Sequence, residues 1–94
     1  MMRRERAREL CRRLRAQPLN ISFDDVVRLA LLAGFEEVRT SGSHHIFRHR
    51  RYDHLLLNLQ ERAGEAKPYQ VRQLVGLIAE YDLLGDGWPD FDTR

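Results

Sequence analysis

The middle of this 94-residue chain lacks the helical spacing of apolar residues that is present on either side of it. The pattern there instead predicts three short extended segments, at residues 35–40, 44–49 and 54–60. The turn at Ser41 and Gly42 is short enough to join the first two as a hairpin, and residues 50–53 can join the second to the third. The middle of the chain therefore predicts a small antiparallel sheet.

Amphipathic helices are predicted on both sides of this sheet. An arginine-rich helix covers residues 3–16, with Cys11 on its apolar face. A second helix starts after Asn20 or Ser22, both of residue types that commonly cap helices, and ends at Gly34. A third begins at Pro68, where the missing backbone N–H of proline costs nothing.

The order helix, helix, three strands, helix predicts an α+β fold whose helices cover one face of the sheet. Without its first helix, this is the α-β-β-β-α order of double-stranded-RNA-binding domains. We expect a single domain over residues 1–94, with an N-terminal helix at 1–17, a core at 20–84 and an acidic tail at 85–94. In the tail, Trp88 and Phe91 can cap the domain or pack on a partner.

Positive charge is concentrated near the N-terminus. The formal net charge is only +2, but 15 of the 16 cationic residues are arginine and seven of these lie within residues 3–15. Such a helix is typical of a surface that contacts a polyanion, although a solvated helix face has the same pattern. A single cysteine cannot form an internal disulfide, which suits a reducing cytoplasm. No apolar run approaches the roughly 18 residues that span a bilayer, so no membrane association is expected.

The histidines are the candidates for chemistry. All four fall within eleven residues: His44, His45, His49 and His54. A neutral imidazole can take the proton of a ribose 2′-hydroxyl, which then attacks the adjacent phosphodiester. Because this reaction needs no metal or other cofactor, the cluster indicates metal-independent RNA cleavage.

Other residues near the histidines fit the binding of a phosphate. Cations can neutralise its charge, backbone N–H groups can hold its oxygens, and an ammonium at a helix N-terminus attracts it. The candidates for these roles are Arg39, Arg48 and Arg50 among the arginines, Gly42 and Ser43 in the turn, and Lys67 at the start of the last helix.

The roles of the histidines have alternatives. His45 points to the opposite face of a regular strand from His44, so it can act as a second catalytic residue only if the Gly42-Ser43 turn distorts the start of that strand. The histidines can also be ordinary surface or core residues. Zinc binding is a further alternative, although neither a cysteine nor a regular ligand spacing accompanies them.

Three segments of the chain resemble the HicA (YcfA-like) family of type II toxin–antitoxin systems. They are Gly34-Phe35, Arg39-Thr40-Ser41-Gly42-Ser43-His44-His45-Ile46-Phe47 and Lys67-Pro68-Tyr69-Gln70-Val71-Arg72-Gln73-Leu74. The resemblance covers roughly residues 22–84. The chain departs from many members of that family in its arginine-rich first helix, and in carrying Leu57-Asn58-Leu59-Gln60 where they have a Val-Pro-x-His-like segment.

The resemblance implies a double-stranded-RNA-binding-like fold and an mRNA interferase, a cytoplasmic endoribonuclease toxin that arrests translation and growth. It implies that His44 is catalytic, as general base or acid, and that Gly42 shapes the site. The implied partner is a HicB-type antitoxin, which covers the histidine in a hetero-oligomer. The alternative is a non-catalytic module of the same fold that binds RNA or an antitoxin.

Overall fold

The computed structural model of the protein describes residues 2–85, and for residues 2–4 it describes the backbone alone. Helices and strands follow in the order α1 (Met2–Ala16), α2 (Phe23–Leu32), β1 (Phe35–Ser41), β2 (His44–His49), β3 (Leu56–Arg62), β4 (Glu65–Ala66) and α3 (Pro68–Glu80). The tail residues Trp88 and Phe91 lie outside the described residues. Within residues 2–85, no helix is both long and apolar enough to cross a membrane.

The strands form one antiparallel sheet in the order β1-β2-β3-β4. The predicted α+β architecture is therefore confirmed, with an α-β-β-β-α arrangement preceded by an additional helix. The predicted start of the third strand, however, is wrong. Leu55 N donates to Tyr52 O at 2.8 Å and closes a turn, so β3 begins only at Leu56 and His54 lies in the loop before it.

The short strand β4 is absent from the sequence prediction, because two residues carry no alternating pattern. It forms because Ala63 and Gly64 both have positive φ, as in the type I′ turns that join hairpin strands. The chain before α2 then fixes this hairpin, since Phe23 N donates to Gly64 O at 2.9 Å and Ala66 N donates to Ile21 O at 3.0 Å.

The helix ends follow the predicted signals. Ser22 caps α2, and its hydroxyl accepts a hydrogen bond from Asp25 N at 3.1 Å. Pro68 lies in the first turn of α3. Gly34 lies between α2 and β1 and has a φ of +104°. Residues other than glycine rarely adopt this backbone conformation, because of their Cβ atom.

The core lies between the sheet and the helices. Phe47 of β2 and Leu57 and Leu59 of β3 are fully buried, together with apolar residues of α2 and α3. Helix α1 packs against α2 and α3 and contributes Cys11 to the same core. Burial raises the pKa of the Cys11 thiol to about 11, against the opposing effect of nearby arginines, so this thiol stays protonated and unreactive.

Arginines on α1 form contacts that join this helix to other parts of the fold. Arg8 donates to the carbonyl oxygens of Leu84 and Gly85, at 3.3 and 3.1 Å, and so ties α1 to the chain that follows α3. Arg13 forms an ion pair of 3.2 Å with Asp25 in the first turn of α2. Part of the N-terminal positive charge is thus used to hold α1 in place.

Replacing Leu14 by alanine should reduce the free energy of unfolding by about 3 kcal/mol, because its side chain is fully buried and its loss leaves a cavity. Urea unfolding followed by circular dichroism measures this effect. Leu19→Ala is the matched control, since Leu19 is 53% exposed and should change stability by less than about 0.5 kcal/mol. Equal effects of the two substitutions would contradict the docking of α1 on the core.

Candidate functional site

Strand β2 presents alternate residues to the two faces of the sheet. Phe47 and His49 are buried against the helices, and His45 faces the same way. His44 and Arg48 are exposed and point to the other face, which we call the open face. The side chains that share the open face with them include Arg39, Ser41, Asn58 and Gln60.

His44 lies near one end of the open face. It pairs directly with Ser41 of β1 on one side and with Gln60 of β3 on the other. Its ring atom Nδ1 is 3.4 Å from Oδ1 of Asn58, which is diagonal to it on β3. The side chain is otherwise exposed. The imidazole is therefore held only by this weak contact at Nδ1, and the rest of the ring is accessible to a ligand.

The two-residue turn before His44 consists of Gly42 and Ser43 and not, as predicted, of Ser41 and Gly42, because Ser41 is the last residue of β1 and pairs with His44. Gly42 has a φ of +60° and Ser43 does not have a positive φ, a pattern found in type II′ turns, which favour glycine at the first position. Ser43 is tied to β3, because Glu61 N donates to its carbonyl oxygen at 3.0 Å and Gln60 Nε2 donates to its hydroxyl at 3.5 Å. These contacts hold the turn beside His44.

The predicted cations lie at different distances from His44. Arg39 is diagonal to it on β1, a separation of about 7–8 Å that an arginine side chain can cross. Arg48 is four residues along the same strand, or about 13 Å away. Lys67 follows β4 at the same end of the sheet as His44, whereas Arg50 follows β2 at the other end. Arg39 is therefore the predicted cation nearest to His44, and Arg62, which the sequence analysis does not single out, lies diagonal to His44 on β3 at a similar separation.

His45 lies on the opposite face from His44. Its Nδ1 is 2.8 Å from a carboxylate oxygen of Glu37, and its ring centroid is 4.9 Å from that of Phe23 at the start of α2. The register is regular at this point, with Thr40 paired to His45, so the turn does not bring the two histidines to one face. They cannot contact the same phosphate in this conformation.

Glu37 is a residue that the sequence does not single out. Its carboxylate accepts hydrogen bonds from the Thr40 hydroxyl and contacts His45. Glu37 and Thr40 are three residues apart and would face opposite sides of a regular strand. They meet because Val38 is an extra residue in β1, which shifts the register between Glu37 and Arg39.

Replacing Glu37 by glutamine should destabilise the protein at neutral pH but not in acid. The Thr40 hydroxyl, and to a smaller extent His45, lower the pKa of Glu37 against the opposing effect of burial. A carboxyl with a lowered pKa stabilises the folded state above its unfolded pKa, and this contribution is lost as the pH falls through the folded value. Urea unfolding should thus separate the two proteins near pH 7, and the difference should shrink as the pH falls below the unfolded pKa of about 4.3 and through the lower folded value.

The control for this prediction is Glu36→Gln, because Glu36 is exposed on the open face beside Arg48. It should show a smaller difference from the wild type across the same pH range. A difference between wild type and Glu37→Gln that stays constant from pH 7 to pH 3 would contradict the assignment.

The remaining two histidines are not near His44. His49 is buried, with Nε2 2.8 Å from Ala33 O, and its Nδ1 accepts hydrogen bonds from the backbone N–H groups of Arg51 and Tyr52, at 3.0 and 3.2 Å. It is a structural residue that joins the end of α2 to the loop after β2. His54 is exposed in that loop, against the rings of Tyr52 and Tyr81.

The zinc alternative requires several of these histidines to come together. In the described part of the chain, no three or more histidine, cysteine, aspartate or glutamate side chains are grouped so that they could hold a metal ion. The four histidines instead occupy separate environments, and His44 alone faces the open side of the sheet.

Gln70 is a further residue that sequence reasoning does not single out. It is buried in the first turn of α3, and its side-chain oxygen accepts a hydrogen bond of 2.8 Å from the backbone N–H of Gln60 in β3. Its amide nitrogen donates to the Tyr69 hydroxyl at 3.3 Å. Gln70 thus anchors the start of α3, with Lys67, beside the strand residue that pairs with His44.

Comparison with known proteins identifies one family. The family model described as "HicA toxin of bacterial toxin-antitoxin" matches residues 23–79, which is more than half of the chain. The match begins at the first residue of α2 and ends within α3, so it contains every strand and the histidines described above. A search of curated proteins and a search of solved structures gave no match.

Proposed function

The chain belongs to the HicA toxin family, and from that premise we propose that this toxin of a toxin–antitoxin system is a metal-independent endoribonuclease with His44 as its catalytic residue. It cleaves mRNA in the cytoplasm and thereby inhibits translation and growth. The observation that carries this proposal is the position of His44, which is the one histidine of residues 2–85 that is exposed on the open face.

In the proposed reaction, His44 removes the proton from a ribose 2′-hydroxyl as general base. The 2′ oxygen forms a bond to the adjacent phosphorus, the bond from phosphorus to the 5′ oxygen breaks, and the 5′ oxygen takes up a proton from solvent, to which His44 afterwards releases its own. The products are a 2′,3′-cyclic phosphate and a 5′-hydroxyl. No redox change and no other reactant is involved.

The surroundings of His44 support phosphate binding. Arg39 is near enough to neutralise charge on the phosphorane, and Lys67 adds a cation at the N-terminus of α3. Gly42 and Ser43 form the turn beside the histidine, where backbone N–H groups can hold a phosphate oxygen. Arg48, further along the face, is suited to a neighbouring phosphate of the same strand.

The proposed partner is a HicB-type antitoxin that covers the open face in a hetero-oligomer. The exposed arginines proposed to bind RNA also support this location, because a face that carries arginines attracts acidic groups of a protein as well as phosphates. An antitoxin on this face would exclude RNA from His44. The arginines of α1 that bind Leu84, Gly85 and Asp25 are less suited to either ligand.

The proposal is tested with the purified protein and a mixed-sequence single-stranded RNA in the presence of EDTA. We expect cleavage that EDTA does not reduce, with 2′,3′-cyclic phosphate or 3′-phosphate at one product end and a 5′-hydroxyl at the other. Binding of RNA without cleavage would instead favour the non-catalytic module. Cleavage that EDTA abolishes would contradict the metal-independent mechanism.

A further inference from the structure

The carbonyl oxygen Oδ1 of Asn58 lies 3.4 Å from Nδ1 of the His44 imidazole. We propose that Asn58 is a positioning residue, which holds the proton of His44 on Nδ1 and thereby makes Nε2 the nitrogen that accepts the 2′-hydroxyl proton. This inference rests on the proposed function, because it assigns the atom through which His44 acts as a base.

The geometry of the sheet supports this role. Asn58 pairs with Ile46 on β2, so it is diagonal to His44 on the same face. Its two neighbours on β3, Leu57 and Leu59, are fully buried in the core, which fixes the position of the backbone at Asn58. An asparagine anchored in this way can orient a neighbouring ring although its own side chain is exposed.

The contacting atoms determine the tautomer. Oδ1 of Asn58 is a carbonyl oxygen and accepts hydrogen bonds only, so the contact of 3.4 Å is favourable when Nδ1 of His44 carries a proton. A neutral imidazole has one N–H, and its Nε2 then has the lone pair that a general base needs. The amide of an asparagine rotated by 180° would donate to Nδ1 instead and would leave Nε2 protonated.

Aspartate at position 58 distinguishes the two orientations of the Asn58 amide, in which either its oxygen or its nitrogen faces Nδ1 of His44. An ionised carboxylate accepts hydrogen bonds and cannot donate them, so it can reproduce only the first. Asn58→Asp therefore preserves the proposed contact, whereas Asn58→Leu, of nearly the same shape, removes it. The charged groups that share the open face are Arg39, Arg48, Arg62, Glu36 and Glu65, and all of them are unchanged in both variants.

The test measures the pH dependence of kcat for RNA cleavage in both variants. Loss of one weak hydrogen bond should reduce kcat of Asn58→Leu about fivefold to tenfold, with KM unchanged. Asn58→Asp should keep kcat near the wild-type value, and its acidic limb should move about one pH unit higher, because the added carboxylate favours the imidazolium form. The matched control is Gln73→Leu, which removes an exposed amide from α3 and should leave the profile unchanged.

A second measurement keeps the inference separate from the proposed function. The ¹⁵N chemical shifts of the imidazole, assigned with the help of His44→Ala, report the tautomer whether or not the protein cleaves RNA. We expect the proton on Nδ1 in the wild type and a mixture of tautomers in Asn58→Leu. A wild-type proton on Nε2, or the same tautomer in both proteins, would overturn the role of Asn58. Absence of cleavage with the expected tautomer would overturn the proposed function alone.

Discussion

Replacing His44 by alanine is expected to reduce RNA cleavage on the order of a thousandfold, because the reaction then lacks its proton acceptor. The fold should not change, since the side chain is exposed and its one described contact, with Asn58, is weak. The values of kcat/KM for a single-stranded RNA, measured in EDTA, give the effect directly. Induced expression of the variant in bacteria should permit growth, whereas the wild type should arrest it.

The matched control for this prediction is His54→Ala. His54 is also exposed, but it lies in the loop beyond the other end of β2 and contacts only aromatic rings among its described partners. The control should cleave RNA at the wild-type rate and arrest growth. If His44→Ala is as active or as toxic as the control, the catalytic assignment fails, and a protein that binds RNA equally well in both forms is then a binding module.

Much of the fold could be predicted because its determinants are local. Ser22, Gly34 and Pro68 mark helix boundaries through backbone chemistry that acts within a few residues. The start of β3 and the existence of β4 could not be predicted in this way. The start of β3 depends on the turn closed by Leu55 N and Tyr52 O, which the apolar pattern of the segment does not reveal. The strand β4 depends on hydrogen bonds to the segment before α2, which is distant in sequence.

Some features of the candidate site could likewise be predicted from local sequence, and others could not. The separation of His44 from His45 follows from strand alternation, but their partners on β1 do not follow from the predicted turn, because Ser41 belongs to β1 and pairs with His44. The contact of Glu37 with His45 depends on the extra residue Val38, for which the sequence gives no signal. The buried position of His49 depends on the approach of α2 to the end of β2, which only the folded structure defines.

Replacing Gly34 by alanine should produce the largest loss of stability among the substitutions considered, about 4 kcal/mol, because a backbone cost and a steric conflict add together. Gly34 has a φ of +104°, and a Cβ there would lie 2.5 Å from Nε2 of His49. The ring of His49 cannot easily move aside, because it is buried and its two nitrogens contact the backbone of Ala33, Arg51 and Tyr52. Chemical denaturation monitored by circular dichroism measures the loss, which is a large fraction of the stability of a small domain.

Gly64→Ala separates the two contributions to this loss. Gly64 also has a positive φ, of +81°, but a Cβ there would meet nothing within 4 Å. Its replacement should therefore cost only the backbone term, about 1 kcal/mol. The difference between the two variants measures the steric conflict with His49, so equal losses would show that backbone conformation alone requires glycine at position 34. A larger loss at Gly34 would instead establish that this glycine is required by the imidazole that joins α2 to the end of β2.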